Sequence, residues 1–451
     1  MAPPPAIPPD QSFTQVSRTL AHIVQDFPYR RRWWLLLGMA GVLVILFVIA
    51  ATWLFTFGVG IWGLNIPVVW GLAIVNVVWW IGIGHAGTFI SAMLLILQQE
   101  WRNSLNRFAE AMTIFAVFCA VLYPILHLGR PWKFYYMLPY PNPLGVQPQF
   151  RSPLLWDVFA FATYFTVSVV FWYVGLIPDL ATMRDRARTR WGRILFGLGA
   201  LGWRGSARHW GRWRQAYLLV AALAMPLVVS VHSGVSLLFA VGPTVGWHST
   251  IFPPFFVMGA VYSGFAMVIL IAVSLRRAFR LDAVLTSHHV ELLAKWLLLT
   301  GLCTGYGYLC ESFVAWYSND PMELERLAER LTGTYAPVTW FTYGVNLGVI
   351  QVLWLGWVRR RGWAVALVAG LVVVAMYTER YMLVITSLYH GFEPGKWHVY
   401  VPTFWDWAIF FGTVGLFLFL LLLFVRLLPS VSIAEVKEVL EHEQAEAGHG
   451  T

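Results

Sequence analysis

Ten runs of this chain are long and apolar enough to cross a lipid bilayer, and that constrains its fold more than any other feature. A spanning helix needs about 20 apolar residues. By that measure the spans lie at approximately 33–57, 66–98, 105–128, 153–178, 215–240, 254–276, 291–317, 337–357, 363–389 and 403–427. The expected fold is an all-α integral membrane protein of about ten transmembrane helices. Basic residues in the connections set the orientation, because Lys and Arg are retained on the cytoplasmic side. With the N-terminus inside, the inner connections hold seventeen such residues, nine of them arginines between Arg184 and Arg214. The outer connections hold six: Arg130, Lys133, Arg151, Arg326, Arg330 and Lys396. Both termini are therefore expected in the cytoplasm.

Only 12% of the residues are charged, about half the share of an ordinary soluble domain. The 25 tryptophans suit interfacial anchoring. A formal charge of +9 would suit nucleic acid, but topology accounts for the arginines, so no nucleic-acid partner is expected. Cys119, Cys303 and Cys310 form no Cys-x-x-Cys pair, and all three read as core thiols. No metal site, disulfide framework or iron–sulfur cluster is expected in this chain. The sequence has no Walker loop, GxGxxG or HExxH motif. MAPPPAIPPD is expected to lack fixed structure, residues 11–29 to form a short surface helix, and no cleavable signal peptide is expected because Arg30-Arg31-Arg32 leads straight into a span.

A faint internal repeat suggests how the spans are grouped. RSPLLWD opens span four and YAPVTWF opens span eight, so that Trp156 matches Trp340 and Asp157 matches Phe341. His85-Ala-Gly87 matches Tyr262-Ser-Gly264 in spans two and six. The expected architecture is two parallel-related four-helix bundles, spans 2–5 and 6–9, with spans 1 and 10 peripheral. The corresponding regions are a cytoplasmic segment 1–32, a peripheral helix 33–58, a first bundle 59–240, a second bundle 241–390, a peripheral helix 391–428 and a cytoplasmic acidic tail 429–451. EVKEVLEHEQAEAGHG in that tail reads as solvated.

Ionisable groups at membrane depth are expensive and point to function. His127 ends span three at the outer face, and Asp157 lies one turn into span four from the same face. The loop between them is long and rich in aromatics and prolines, as expected of a lid. An imidazole beside a carboxylate can take up protons near neutral pH. Trp132, Tyr135, Tyr136 and Trp156 offer flat apolar walls, and Arg130 lies in the loop above. Oxidation of a hydrophobic quinol requires this combination: a greasy slot and two proton acceptors. A purely structural account has His127 capping a helix end and Asp157 paired with Arg130 or Arg151.

His85, near the middle of span two, reads equally well as a site residue or as a satisfied interior histidine. Gly82, Gly84, Ala86, Gly87 and Ser91 around it make a small face for close helix packing. Glu110, His232, Glu311, Glu379 and Arg380 form either a proton path or buried pairs that fix helix register. Glu379 and Arg380 are adjacent and, pointing in different directions on a helix, are expected to need other partners. GWRGSARHWGRWRQ is a basic, tryptophan-bearing inner loop suited to anionic lipid headgroups.

GHAGTFISAMLL, RFAEAMTIFAVFCA, HLGRPW, PYPN, FRSPLLWD and GLIPDLATMRD together resemble the NrfD/PsrC family of quinone-interacting membrane subunits. Within it, GWRGSARHW, GWHSTIFPPFFV, GYGYLCESFVAWYS and TERYMLVITSLYHGFEPGKWHVYVPT are most similar to the ActC membrane subunit of bacterial alternative complex III. The resemblance runs from about residue 60 to 420. It implies a subunit of the bacterial cytoplasmic membrane, itself without a ligated or covalent cofactor, that oxidises menaquinol or ubiquinol near the periplasmic face. It further implies an iron–sulfur, molybdopterin-like periplasmic partner, haem c subunits and a homologous NrfD-type membrane subunit. The family's quinol-site histidine and aspartate fall on His127 and Asp157, and its neighbouring histidine on His85. SHHVE at Ser287–Glu291 and AMYTER at Ala375–Arg380 depart from the family's usual RHLEN and GMWxER, which puts the proton path in the second bundle in question. Two other classes remain on residue grounds: a repeat-built secondary transporter, and a haem b anchor using His85, His127 or His232 as axial ligands.

Overall fold

The computed structural model describes residues 6–25, 30–137, 153–389 and 397–449. Among the described residues every regular element is helical. A short amphipathic helix, α1 (Phe13–Gln25), precedes the first membrane helix, α2 (Arg30–Phe57). Then come α3 (Gly71–Ile96), α4 (Asn106–His127), α5 (Pro153–Arg186), a short α6 (Arg190–Gly199) and α7 (Ala207–Ala240). The second half holds α8 (Phe252–Phe279), α9 (Ser287–Ser318), α10 (Pro321–Thr332), α11 (Ala336–Tyr343), a one-turn α12 (Gly356–Arg359) and α13 (Gly362–Leu388). The chain ends with α14 (Phe404–Leu427) and α15 (Ile433–His449). Eight of these are long and apolar enough to cross a membrane: α2, α3, α4, α5, α7, α8, α13 and α14. The protein is a multi-pass helical membrane protein.

The other two expected spans have a different character. Residues 291–317 fall within the 32-residue α9, where Lys295 and a Gly/Tyr-rich stretch lower the apolarity. The run 337–357 is not one regular helix. It passes from α11 into a π turn at Gly344–Gly348, a 3-10 turn at Val349–Trp354 and then α12. Two glycines, weak helix formers, bracket that π turn. Asn346 within it donates Nδ2 to the Tyr308 hydroxyl at 3.0 Å, a side-chain bond that anchors the irregular turn.

α3 and α8 are the most enclosed of the membrane helices, and they cross through small residues. A Cβ added at Gly264 would come within 1.7 Å of the Ala86 Cβ, and one at Gly87 within 2.1 Å of the Ala109 carbonyl on α4. The small face around His85 therefore works as a packing surface on two sides. Close backbone approach is how membrane helices gain contact without a hydrophobic driving force. α2 lies against α14, and the Trp33 indole donates to the Leu422 carbonyl at 2.9 Å.

The tail departs from its expected solvated state. Ile433, Val436, Val439 and Leu440 are buried on one face of α15, at the spacing of an amphipathic helix. Counting charges alone hides that stripe. The α15 N-terminus is capped by a membrane helix: Asp179 Oδ1 on α5 accepts from the Ile433 and Ala434 amides at 3.0 Å each. α1 forms where a surface helix is expected and packs on α15 and α14. Residues 6–10, expected without structure, are also tied down: the Ala6 amide donates to Glu443 Oε1 at 2.6 Å, and Ile7 is buried.

Candidate functional site

His127 is the last residue of α4, and Gly129, at φ +64°, turns the chain away from the helix. Glycine suits this left-handed cap because it has no Cβ to clash. The 3-10 turn Pro131–Met137 that follows carries Trp132, which is exposed, as is Arg130. The His127 ring stacks on buried Trp62 with centroids 6.1 Å apart, and its Nδ1 has no hydrogen-bond partner. The expected lid, with Arg151 and the PYPN motif, lies outside the described residues, as does the Tyr136 side chain.

Asp157 sits one turn into α5, which opens at Pro153, a favoured first helical residue. It is only 6% exposed, and none of its hydrogen bonds or ion pairs is to a described residue, Arg130 included. Asp157 opens on a cavity of about 280 Å³ between α5 and α7, whose apolar wall includes Phe159, Ala160, Leu227 and Val231. Trp156 stands at its edge, and Ser230 supplies a hydroxyl. His127 does not line this cavity and makes no hydrogen bond to Asp157. The two side chains share an end of the molecule but face different neighbours.

Below Asp157 the buried face of α5 continues through Phe161, Tyr164 and Ser168. Seven residues of helix place Tyr164 about 10 Å deeper than Asp157. Its hydroxyl donates to the Gly84 carbonyl at 3.0 Å, and its ring centre is 4.4 Å from that of His85. His85 is paired with His232: the two Nδ1 atoms are 2.8 Å apart, so one ring donates and the other accepts. Both Nε2 atoms are buried without a partner. Tyr164 escaped the sequence reading, although its i+7 spacing from Asp157 was available as a signal.

The His232 ring lies along Phe256, centroids 5.6 Å apart, and the Arg380 guanidinium sits 4.1 Å from the centre of that same phenyl ring. Arg380 pairs with its neighbour Glu379 at 3.1 Å, contrary to the expectation that the two need other partners. The backbone positions diverge, but the long Arg380 side chain folds back to reach the carboxylate. Glu311 on α9 is held by Arg330 at 2.8 Å and Arg326 at 3.4 Å, both from α10. Arg330 continues to the Thr386 and Ser387 hydroxyls on α13, each at 3.0 Å.

Glu110 lies elsewhere, near the other end of α4. Its Oε1 accepts from Ser91 at 2.6 Å and Tyr217 at 2.8 Å, and its Oε2 pairs with Arg107 at 3.3 Å. Arg107 also meets Asp179 at 3.2 Å, while Arg102 meets Glu435 of α15 at 2.8 Å. Burial disfavours the Glu435 charge, but the Arg102 and Arg107 guanidiniums outweigh it and hold the carboxyl below its usual range. The five proton-path candidates thus fall in three separate places: Glu110, then His232 with Arg380 and Glu379, then Glu311. Among the described residues no group of three or more His, Cys, Asp or Glu is placed to hold a metal ion.

The family described as polysulphide reductase, NrfD, matches residues 60–390. A Halobacterium salinarum protein described as a membrane subunit of dimethyl sulfoxide reductase is 26% identical over 240 residues, which is 52% of this chain and 51% of that protein. The chain thus spans about half the length of that relative. A selenate reductase subunit of Mesobacillus selenatarsenatis is 21% identical, with 80% of this chain and 85% of the relative covered. The Hdr-like menaquinol oxidoreductase integral membrane subunit of Archaeoglobus fulgidus is 22% identical, with 85% and 90% covered. With the family match spanning most of the membrane region, this chain belongs to the NrfD family.

Proposed function

We propose that this protein is the quinol-oxidising membrane subunit of a redox complex of the alternative complex III type, working at the periplasmic face of a bacterial cytoplasmic membrane. The observation that carries the reading is Asp157: a nearly buried acid without a described partner, facing an apolar cavity of about 280 Å³. Small-molecule pockets start at about 300 Å³, so this space suits one quinone ring with its isoprenoid tail left in lipid. A buried acid with no donor among the described residues has given up hydration without compensation from them, and a quinol hydroxyl would supply the missing bond.

Oxidising one quinol to quinone releases two electrons and two protons. In this reading Asp157 takes one proton at its carboxylate. The expected second acceptor is His127, whose Nδ1 lacks a partner, but it stands outside this cavity, so only the transfer to Asp157 is local to the seated ring. Trp156 stands at the cavity edge; Arg130, Trp132 and Tyr136 are proposed as further quinol-binding residues, while His85 with His232 stands deeper along α5. The electrons pass to an iron–sulfur, molybdopterin-like partner on the outer face and on through haem c subunits, beside a second NrfD-type subunit. The names of the selenate reductase and menaquinol oxidoreductase relatives are consistent with such an assembly. Whether Glu110, His232, Glu311, Glu379 and Arg380 move protons inward is a separate step. Of these, His232 with Arg380 and Glu379 adjoins the Asp157 site most closely through Tyr164 and His85.

Asp157→Asn keeps the shape of the side chain and removes the base. In the assembled complex it should lower quinol oxidation by about 100-fold or more, the usual worth of a positioned general base. Near-normal turnover by that variant would sink the assignment.

A further inference from the structure

The connection from α5 to α7 contains α6, and quinol oxidation makes no use of it. Both flanking helices have spanning length and apolarity, so this connection lies against a membrane face. Trp191, Leu195 and Leu198 recur on one side of α6 and are 74%, 66% and 69% exposed. On the other side Phe196 packs with Leu176, Leu180 and Ala181, and the Tyr173 hydroxyl donates to the Gly199 carbonyl at 2.7 Å. A helix fixed this way, with a bare apolar stripe beside Arg190 and Arg193, matches helices that lie at the headgroup–acyl boundary.

Beside α6 a cavity of about 620 Å³ opens between the end of α5, the start of α7 and α15. Arg184, Arg204, Arg214 and Lys437 line it, together with Asp185, Glu438 and Glu441. Two of these carboxylates are engaged: Glu438 by Arg214 at 2.6 Å and Asp185 by Arg184 at 2.8 Å. Arg204 and Lys437 make no ion pair among the described residues, and Glu441 is the only lining carboxylate left to oppose them. Burial, and then the nearby Arg186, push the Lys437 ammonium below the usual lysine range, as expected of a cation short of counter-charge. Trp203 and Trp210 pack edge to face at 5.0 Å in the wall. Indole rings favour the membrane–water interface.

We propose that this cavity binds the phosphodiester headgroup of an anionic phospholipid, held by Lys437 and Arg204, with its acyl chains along the bare stripe of α6. The chemistry recognised is a phosphate ester anion joined to apolar chains. Inorganic phosphate offers only the first half.

The test is native mass spectrometry of the full chain in detergent, offered phosphatidylglycerol, phosphatidylcholine or inorganic phosphate. The wild-type chain should retain phosphatidylglycerol preferentially and be indifferent to phosphate. Lys437→Gln with Arg204→Gln should weaken that retention by about 30-fold, the effect of two basic groups near a lipid phosphate. Glu441→Gln removes the opposing charge and should tighten it by about fivefold. Equal retention of the two lipids, displacement of lipid by phosphate, or unchanged retention in the double variant would each overturn the proposal. Should the double variant fail to fold, Glu441→Gln decides alone: unchanged retention overturns it. None of these measurements reads quinol turnover, so the two proposals fail separately.

Discussion

α4 and α5 carry a polar cluster at each end, and the two clusters are built on opposite rules. At one end both oxygens of Glu110 and both of Asp179 are satisfied, by Arg107, Ser91, Tyr217 and the α15 amides. At the other end Asp157 and His127 sit in the same two helices, largely enclosed, and find no such partners among the described residues. Buried charges persist in a fold when protein groups replace the water they lose. The first cluster meets that condition and holds helices together. The second has bonds left unmade among the described residues. That contrast, more than the presence of ionisable residues at membrane depth, sets the proposed site apart from the structural cluster.

The sharpest way to break the contrast is to compare stability at the two ends. Glu435→Gln leaves Arg102 and Arg107 short of a counter-charge and should cost about 3–5 kcal/mol, read as a large fall in the thermal midpoint of the detergent-solubilised chain. Asp157→Asn should leave that midpoint unchanged or raise it, because it removes an unsatisfied buried acid. A comparable fall in both would show that Asp157 has a structural partner after all. His232→Leu should have an intermediate effect, about 1–3 kcal/mol for leaving the His85 Nδ1 unpaired. If it also stops quinol oxidation, the histidine pair belongs with the working end.

Acid sharpens the same comparison. The Glu435 carboxyl is held below its usual range, so its contribution is complete above the ordinary carboxylate value of about 4.3. It is lost as pH falls through the lower folded value. Hydrogen exchange of the α15 amides should rise in that window and not at neutral pH. The smallest effect is expected at the solvent-facing contact between His442 and Glu100, 2.7 Å apart. The hydrogen bond to Glu100 raises His442 above the usual histidine range, so its contribution is full below that range and fades as pH rises through the raised value. Glu100→Gln should return the His442 titration, followed by NMR, to its ordinary position at a cost of about 0–1 kcal/mol.

Much of the fold was legible because the bilayer imposes its own length on apolar runs: eight of the ten expected spans are regular helices long and apolar enough to cross, and a ninth lies in the long helix α9. The small face around His85 was legible for a similar reason: glycine and alanine in a row have little other use in a membrane helix. What escaped depended on partners far away in the chain. Nothing local to Glu435 reveals that it meets Arg102 at a distance of 333 residues. Nothing near His85 points to His232, 147 residues on. The break after α11 went unseen because its residues are mostly apolar, and a count of apolar residues does not register Asn346 or the two glycines at the ends of the π turn. Asp157 stood out by position alone, but its lack of a charged partner among the described residues was not visible without the fold.

The seating of α15 also bears on how the chain is made. Arg107 and Glu435 are 328 residues apart, so synthesis inserts every membrane helix before the last carboxylate of the cluster emerges. Until then Arg102 lacks its 2.8 Å carboxylate partner, while Glu110 and Asp179 already serve Arg107. A chain that stops before α15 would keep Arg102 without that carboxylate and Asp179 without the amides it caps.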